Sequence, residues 1–109
     1  HFVPWSRHPE NAIENLVPAH RGCNGHKSDH LAARAHVVRW RGRMERNRSD
    51  LRSIAERHGF DTAGARVLNV ARGIYVRLPQ NVRLWAGKGE FVPIGSEPIA
   101  PLFRPLTAA

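Results

Sequence analysis

At 109 residues, with 41% hydrophobic and 24% charged side chains, the chain is long enough for one domain with a modest core and too apolar to be disordered. Seventeen Lys and Arg against nine Asp and Glu give a net charge of +8 and a pI near 11.4, a balance that suits a polyanionic partner such as DNA or RNA. A single cysteine excludes an intramolecular disulfide and suggests a reducing, cytoplasmic setting, and no apolar stretch approaches the roughly twenty residues of a membrane span.

Phe2–Val3–Pro4–Trp5 reads as a short extended run in which Phe2 and Trp5 pack together and Pro4 fits only an edge or a strand end. Residues 6–11 read as a polar loop whose Arg7 and His8 are candidates for phosphate contact or plain solvated residues. Asn15 precedes a second extended segment, Leu16–Val17–Pro18–Ala19. A short helix is predicted over 21–27 despite Gly22 and Gly25, and Asp29 is placed to cap the helix that follows.

Residues 31–46 predict an amphipathic helix, with Leu31, Ala35 and Val38 on one ridge and Val37, Trp40 and Met44 beside it. Ser49 or Asp50 starts a second helix through His58, closed by Gly59 in a left-handed cap. A third begins at Asp61 or Thr62 and carries Val67, Leu68, Ala71, Ile74, Tyr75 and Leu78 before Pro79 stops it. The period then changes from helical to alternating. Residues 82–86, a Gly87–Lys88–Gly89 turn and residues 90–93 predict a β-hairpin with Trp85 and Phe91 packed across it. Beyond Ile94, three prolines predict an extended tail docked through Ile99, Leu102 and Phe103.

Three stretches carry chemistry: His1 with Val3–Pro4 behind it, Asn15–Leu16–Val17, and Cys23–Asn24–Gly25–His26–Lys27–Ser28–Asp29. Together they resemble the HNH nuclease family, and the last run is similar to the ending found in the nuclease domain of RNA-guided CRISPR effectors. The resemblance implies a metal-binding fold in which a two-stranded ribbon is clasped to a short helix. The chain is therefore expected to be α+β: a ββα-metal element over 1–30, a helical support region over 31–79, and a β-hairpin with a Pro-rich tail over 80–109, one compact domain overall.

What the resemblance implies chemically is metal-dependent hydrolysis of phosphodiester bonds in DNA. His1 would be the general base, since a neutral imidazole titrates near neutrality and can take a proton from water. Asn15 would orient that imidazole and pin the loop between the ribbon strands. Asn24 would hold a divalent cation through its amide oxygen, a hard ligand that favours magnesium, then manganese, over zinc. Arg7, Arg21 and Lys27 would hold the DNA backbone, and a bacterial or phage-related setting is expected. The family places an aspartate or another ligand directly before the first histidine, whereas this sequence starts at His1. The expectation is a chain cut between that ligand and the base, so that the parent protein's activity and that of the piece are separate questions.

His20, Cys23, His26 and His30 form an H-x2-C-x2-H-x3-H spacing. On one helix such side chains lie in a row and do not surround a tetrahedral ion, which disfavours structural zinc and makes Cys23 a small buried residue. Two further readings stand beside the nuclease: a non-catalytic nucleic-acid-binding module on the same scaffold, and a zinc-stabilised structural domain. Residues from 50 onward carry no chemical motif and are read as an accessory region.

Overall fold

The computed structural model describes residues 1–17, 27 and 29–107. The chain is mixed α+β: α1 (Arg34–Arg46), α2 (Arg48–His58), α3 (Gly64–Val76), β1 (Arg83–Gly87) and β2 (Glu90–Pro93), with 3-10 turns at Ile13–Asn15 and Ala100–Phe103. The ribbon expected ahead of Lys27 is represented, among the described residues, by one main-chain bond from the Phe2 N–H to the Asn15 carbonyl (2.7 Å). Residues 1–17 contain no strand, and the helix expected over 21–27 lies outside the described residues except for Lys27, which is helical.

The first long helix starts later than its apolar spacing predicts. Residues 31–33 are taken up by the sheet instead: the Ala33 N–H donates to the Trp85 carbonyl and the Trp85 N–H to the Leu31 carbonyl, both at 2.8 Å, and Ala32 forms a parallel bridge with Trp85. α1 therefore begins at Arg34, with Ala33 as an N-cap that makes no side-chain bond, and Asp29 does not cap it. The buried stripe is Val37, Trp40, Arg41 and Met44, while Ala35 is exposed and Val38 is 54% exposed. The expected ridge of Leu31, Ala35 and Val38 is thus not a ridge, because Leu31 is not part of the helix.

Arg41 occupies that stripe because its guanidinium has carbonyls to meet. Its Nε donates to the Arg104 carbonyl and a terminal nitrogen to that of Pro105, both at 2.7 Å. Arg34, two helical turns earlier, donates in the same way to the carbonyls of Ile94 (2.7 Å), Glu97 and Pro98. Two arginines seven residues apart lie on one side of a helix, so α1 holds the C-terminal segment by its backbone. That segment is not simply extended: Ala100–Phe103 forms a 3-10 turn that buries Phe103, with Ile99 buried before it.

α2 follows α1 after the single residue Asn47 and ends at Gly59, whose φ of 73° is the left-handed conformation in which glycine meets no Cβ penalty. α3 starts at Gly64; neither Asp61 nor Thr62 caps it. Its Val67, Leu68, Ala71 and Tyr75 are buried, and the Tyr75 hydroxyl donates to the Ala32 carbonyl at 2.6 Å. Burial pushes that phenol well above its ordinary pKa. The hairpin pairs Leu84 with Val92 and Trp85 with Phe91, as its alternation predicts, and Gly89 supplies the positive φ of the turn.

A single apolar cluster gathers Phe2 and Val3 from the start of the chain, Val37, Trp40 and Met44 from α1, Val67, Leu68, Ala71 and Tyr75 from α3, Leu84 from β1, and Ile99 and Phe103 from the tail. A smaller one joins Ile13 to Leu51 and Ala55 of α2. Phe2 is stacked on Trp40, with ring centroids 4.1 Å apart and planes 7° apart, a burial worth about 2 kcal/mol. It does not pack on Trp5, which is 52% exposed. α1 offers a broad indole face, and Phe2 takes it. No helix among the described residues is long and apolar enough to cross a membrane.

Candidate active site

The start of the chain is held by two carboxylates and one amide. Asn15 is completely buried. Its Oδ1 accepts from the Val3 N–H at 2.7 Å, and its Nδ2 donates to the carbonyls of Val3 (3.1 Å) and Glu10 (2.9 Å). One side chain thus ties the run behind His1 to the loop that follows it. All of its hydrogen-bonding capacity but one acceptor site is used, which is what a buried amide requires.

The 3-10 turn that presents Asn15 is held in place from outside. The Trp40 indole N–H donates to the Glu14 carbonyl at 2.7 Å, and Arg43 donates to the same carbonyl at 2.9 Å and to that of Leu16 at 2.8 Å. Arg43 therefore grips the main chain on both sides of Asn15. Burial pulls its pKa down, with the Glu14 carboxylate opposing. Below the turn, the Glu14 carboxylate accepts the Ala63 N–H at the start of α3 (2.9 Å), and the Ile13 N–H donates to the Asp61 carbonyl (2.9 Å). Glu10 accepts two bonds from Arg66, at 2.7 and 3.1 Å, and one from the Ala12 N–H. The hydrogen bonds from Arg66 hold the Glu10 carboxyl below the usual range.

His1 lies at the exposed end of this frame. Its Nε2 is 2.6 Å from the Asn11 Oδ1 and its ring centroid 5.5 Å from that of Trp5. With Nε2–H as the donor to that oxygen, Nδ1 is the nitrogen left with a lone pair. Asn15 does not touch the imidazole; it acts on the main chain two residues away. Lys27 reaches back from the helical side, its ammonium donating to the carbonyls of Phe2 (3.0 Å) and His1 (3.4 Å). Burial lowers its pKa to about 8, with the Asp29 charge opposing. Arg7 is exposed on the turn that follows Pro4. Asn24 and Arg21 lie outside the described residues, as do His20, Cys23 and His26.

Residues 1–33 match the family model of the HNH endonucleases. The HNH match covers the first third of the chain and ends one residue before α1, so Trp40, Arg43 and Arg66, which hold its turn and loop, come from outside it. No curated protein and no solved structure matches the chain. HNH nucleases generally use divalent metals. Among the described residues, no group of three His, Cys, Asp or Glu side chains is placed to hold one. Glu10 and Glu14, the two carboxylates nearest in sequence, are committed to Arg66 and Ala63. At His1 the ring Nε2 and the Asn11 Oδ1 are bonded to each other.

Sequence reasoning alone does not find Asn11, Glu10, Glu14, Arg43 or Arg66. The one available signal is a pair of acidic residues in the first seventeen positions of a chain with a net charge of +8. Arg43 leaves no local trace, because its partners are carbonyls twenty-seven and twenty-nine residues away.

Proposed function

We propose that the protein is a metal-dependent DNA endonuclease of HNH type, acting in a bacterial or phage-related cytoplasmic setting. The observation that carries the reading is the Asn15 side chain, buried and bonded to both Val3 and Glu10 within a stretch that matches the HNH endonucleases. A nuclease base needs a fixed backbone behind it, and this amide fixes the one behind His1. Nδ1 of His1 takes a proton from water as that oxygen bonds to phosphorus, and the bond from phosphorus to the 3′-oxygen breaks. A divalent ion, magnesium or manganese, held in part by Asn24, would supply the positive charge that the leaving oxygen requires. Arg7 and Arg21 grip the phosphate backbone, with Lys27 adding charge from its seat on the Phe2 and His1 carbonyls. Such contacts position DNA without reading its sequence.

The test is restoration of cleavage by metal. The full natural protein is stripped with chelator, returned to magnesium or manganese, and mixed with supercoiled plasmid. Metal-dependent conversion to open-circular or linear DNA is expected. Binding without conversion at every metal concentration would leave a non-catalytic nucleic-acid-binding module and end the nuclease reading.

A further inference from the structure

We infer that the outer face of the β-hairpin, outside the HNH match, is a second DNA-contacting surface that takes an unpaired strand by stacking and phosphate pairing. The proposal rests on the nuclease reading for the partner being DNA and otherwise stands on its own geometry. Residues two apart on a strand share a face, and directly paired residues lie side by side. Arg83 opposite Pro93 and Trp85 opposite Phe91 therefore line one face of the hairpin, while Leu84 turns the other way into the core.

Two imidazoles lie against that face, on which the Trp85 and Phe91 rings are half-buried. His36 of α1 stacks on Trp85, with centroids 5.1 Å and planes 22° apart, and His30 packs on Phe91 at 4.7 Å. His36 is locked from both sides: its Nε2 lies 2.8 Å from the Ala86 carbonyl and its Nδ1 2.6 Å from an Arg39 nitrogen. Only one tautomer satisfies both contacts, with Nε2 donating and Nδ1 accepting. Arg39, an exposed residue, is thereby held against the ring layer, and Arg83 is exposed on the adjoining strand. Lys88 adds a third cation at the turn, against Glu90 as the acidic residue of the hairpin.

Rings beside fixed cations are what a single strand needs. Its bases offer free π-faces and its phosphates a run of negative charge, whereas in a duplex the base faces are already covered. The surface also begins at the candidate site. The His30 N–H and Nδ1 both lie on the Lys27 carbonyl, at 2.9 and 3.2 Å.

The experiment is fluorescence anisotropy of a labelled oligothymidylate of about fifteen nucleotides, enough to span one such surface, with chelator present so that no cleavage is scored. A negative cleavage result therefore leaves this measurement intact. Arg39→Glu and Phe91→Leu are compared with wild type after circular dichroism confirms folding. Phe91→Leu keeps apolar bulk and removes the ring, and exposed Arg39 gives a second variant that leaves the hairpin core alone. Each should weaken single-strand binding by about tenfold or more. Folded variants that bind the oligonucleotide as wild type does would overturn the proposal.

Discussion

Asn15 and Val3 meet twice, amide to amide: Oδ1 accepts the Val3 N–H and Nδ2 donates to the Val3 carbonyl, with Glu10 taking the remaining amide hydrogen. This is the bonding pattern of a strand pair made by one side chain. Asn15→Ala should lower the unfolding free energy by about 3 kcal/mol in urea titrations, because it strands buried polar groups on two segments. Asn15→Asp should be no better despite its matching shape. A carboxylate has no hydrogen to give the two carbonyls.

Arg43 holds the carbonyls on either side of that residue, and its own Nε is buried with no partner among the described residues. Arg43→Met should cost about 2 kcal/mol by the same titration, the worth of charge-assisted bonds to the main chain less the relief of a buried cation. Trp40→Phe should cost about 2 to 3 kcal/mol, because it keeps a ring under Phe2 but removes the indole N–H from the Glu14 carbonyl and leaves a cavity where the larger ring system packed.

Glu10 should write itself into the acid limb of stability. Arg66 depresses its carboxyl pKa in the fold, so its contribution is fully present above the unfolded value of about 4.3 and is lost as pH falls through the lower folded value. Thermal midpoints of wild type and Glu10→Gln should differ most above pH 5 and converge as pH falls below the unfolded value. A constant gap across that range would mean the ion pair does not form.

Much of this frame is invisible to local pattern. The hairpin, the left-handed Gly59 and the apolar stripe of α3 are legible because alternation, turn glycines and three-four spacing act over a few residues. The start of α1 is not, because Leu31 to Ala33 are claimed by the edge of β1 fifty residues later. The same holds for Phe2, which spacing pairs with Trp5 and the fold pairs with Trp40. Asn15 stands out in the sequence through its place before Leu16–Val17, yet the partners of Glu10, Glu14 and Arg43 become evident only when α1 and α3 close over the loop.

Lys27 gives a chemical readout of the clasp. Its ammonium is half-buried on two carbonyls and its pKa is near 8, well below the ordinary lysine value. Folding releases its proton between about pH 8 and 10.4, so this residue costs stability below pH 8 and stops doing so as pH rises through that window. The chain has two lysines, and Lys88 sits on the exposed hairpin turn. Peptide mapping after brief acylation at stepped pH should show Lys27 labelling rise with a midpoint near 8 in the folded protein, and that midpoint should move up in denaturant.

The most direct measurement is nicking of supercoiled plasmid by the full natural protein in magnesium, wild type against His1→Ala, at DNA concentrations where both are shown to bind. The account predicts that the variant retains DNA affinity and loses cleavage by at least about a hundredfold, the scale of a positioned general base. Equal cleavage by the two proteins would contradict it.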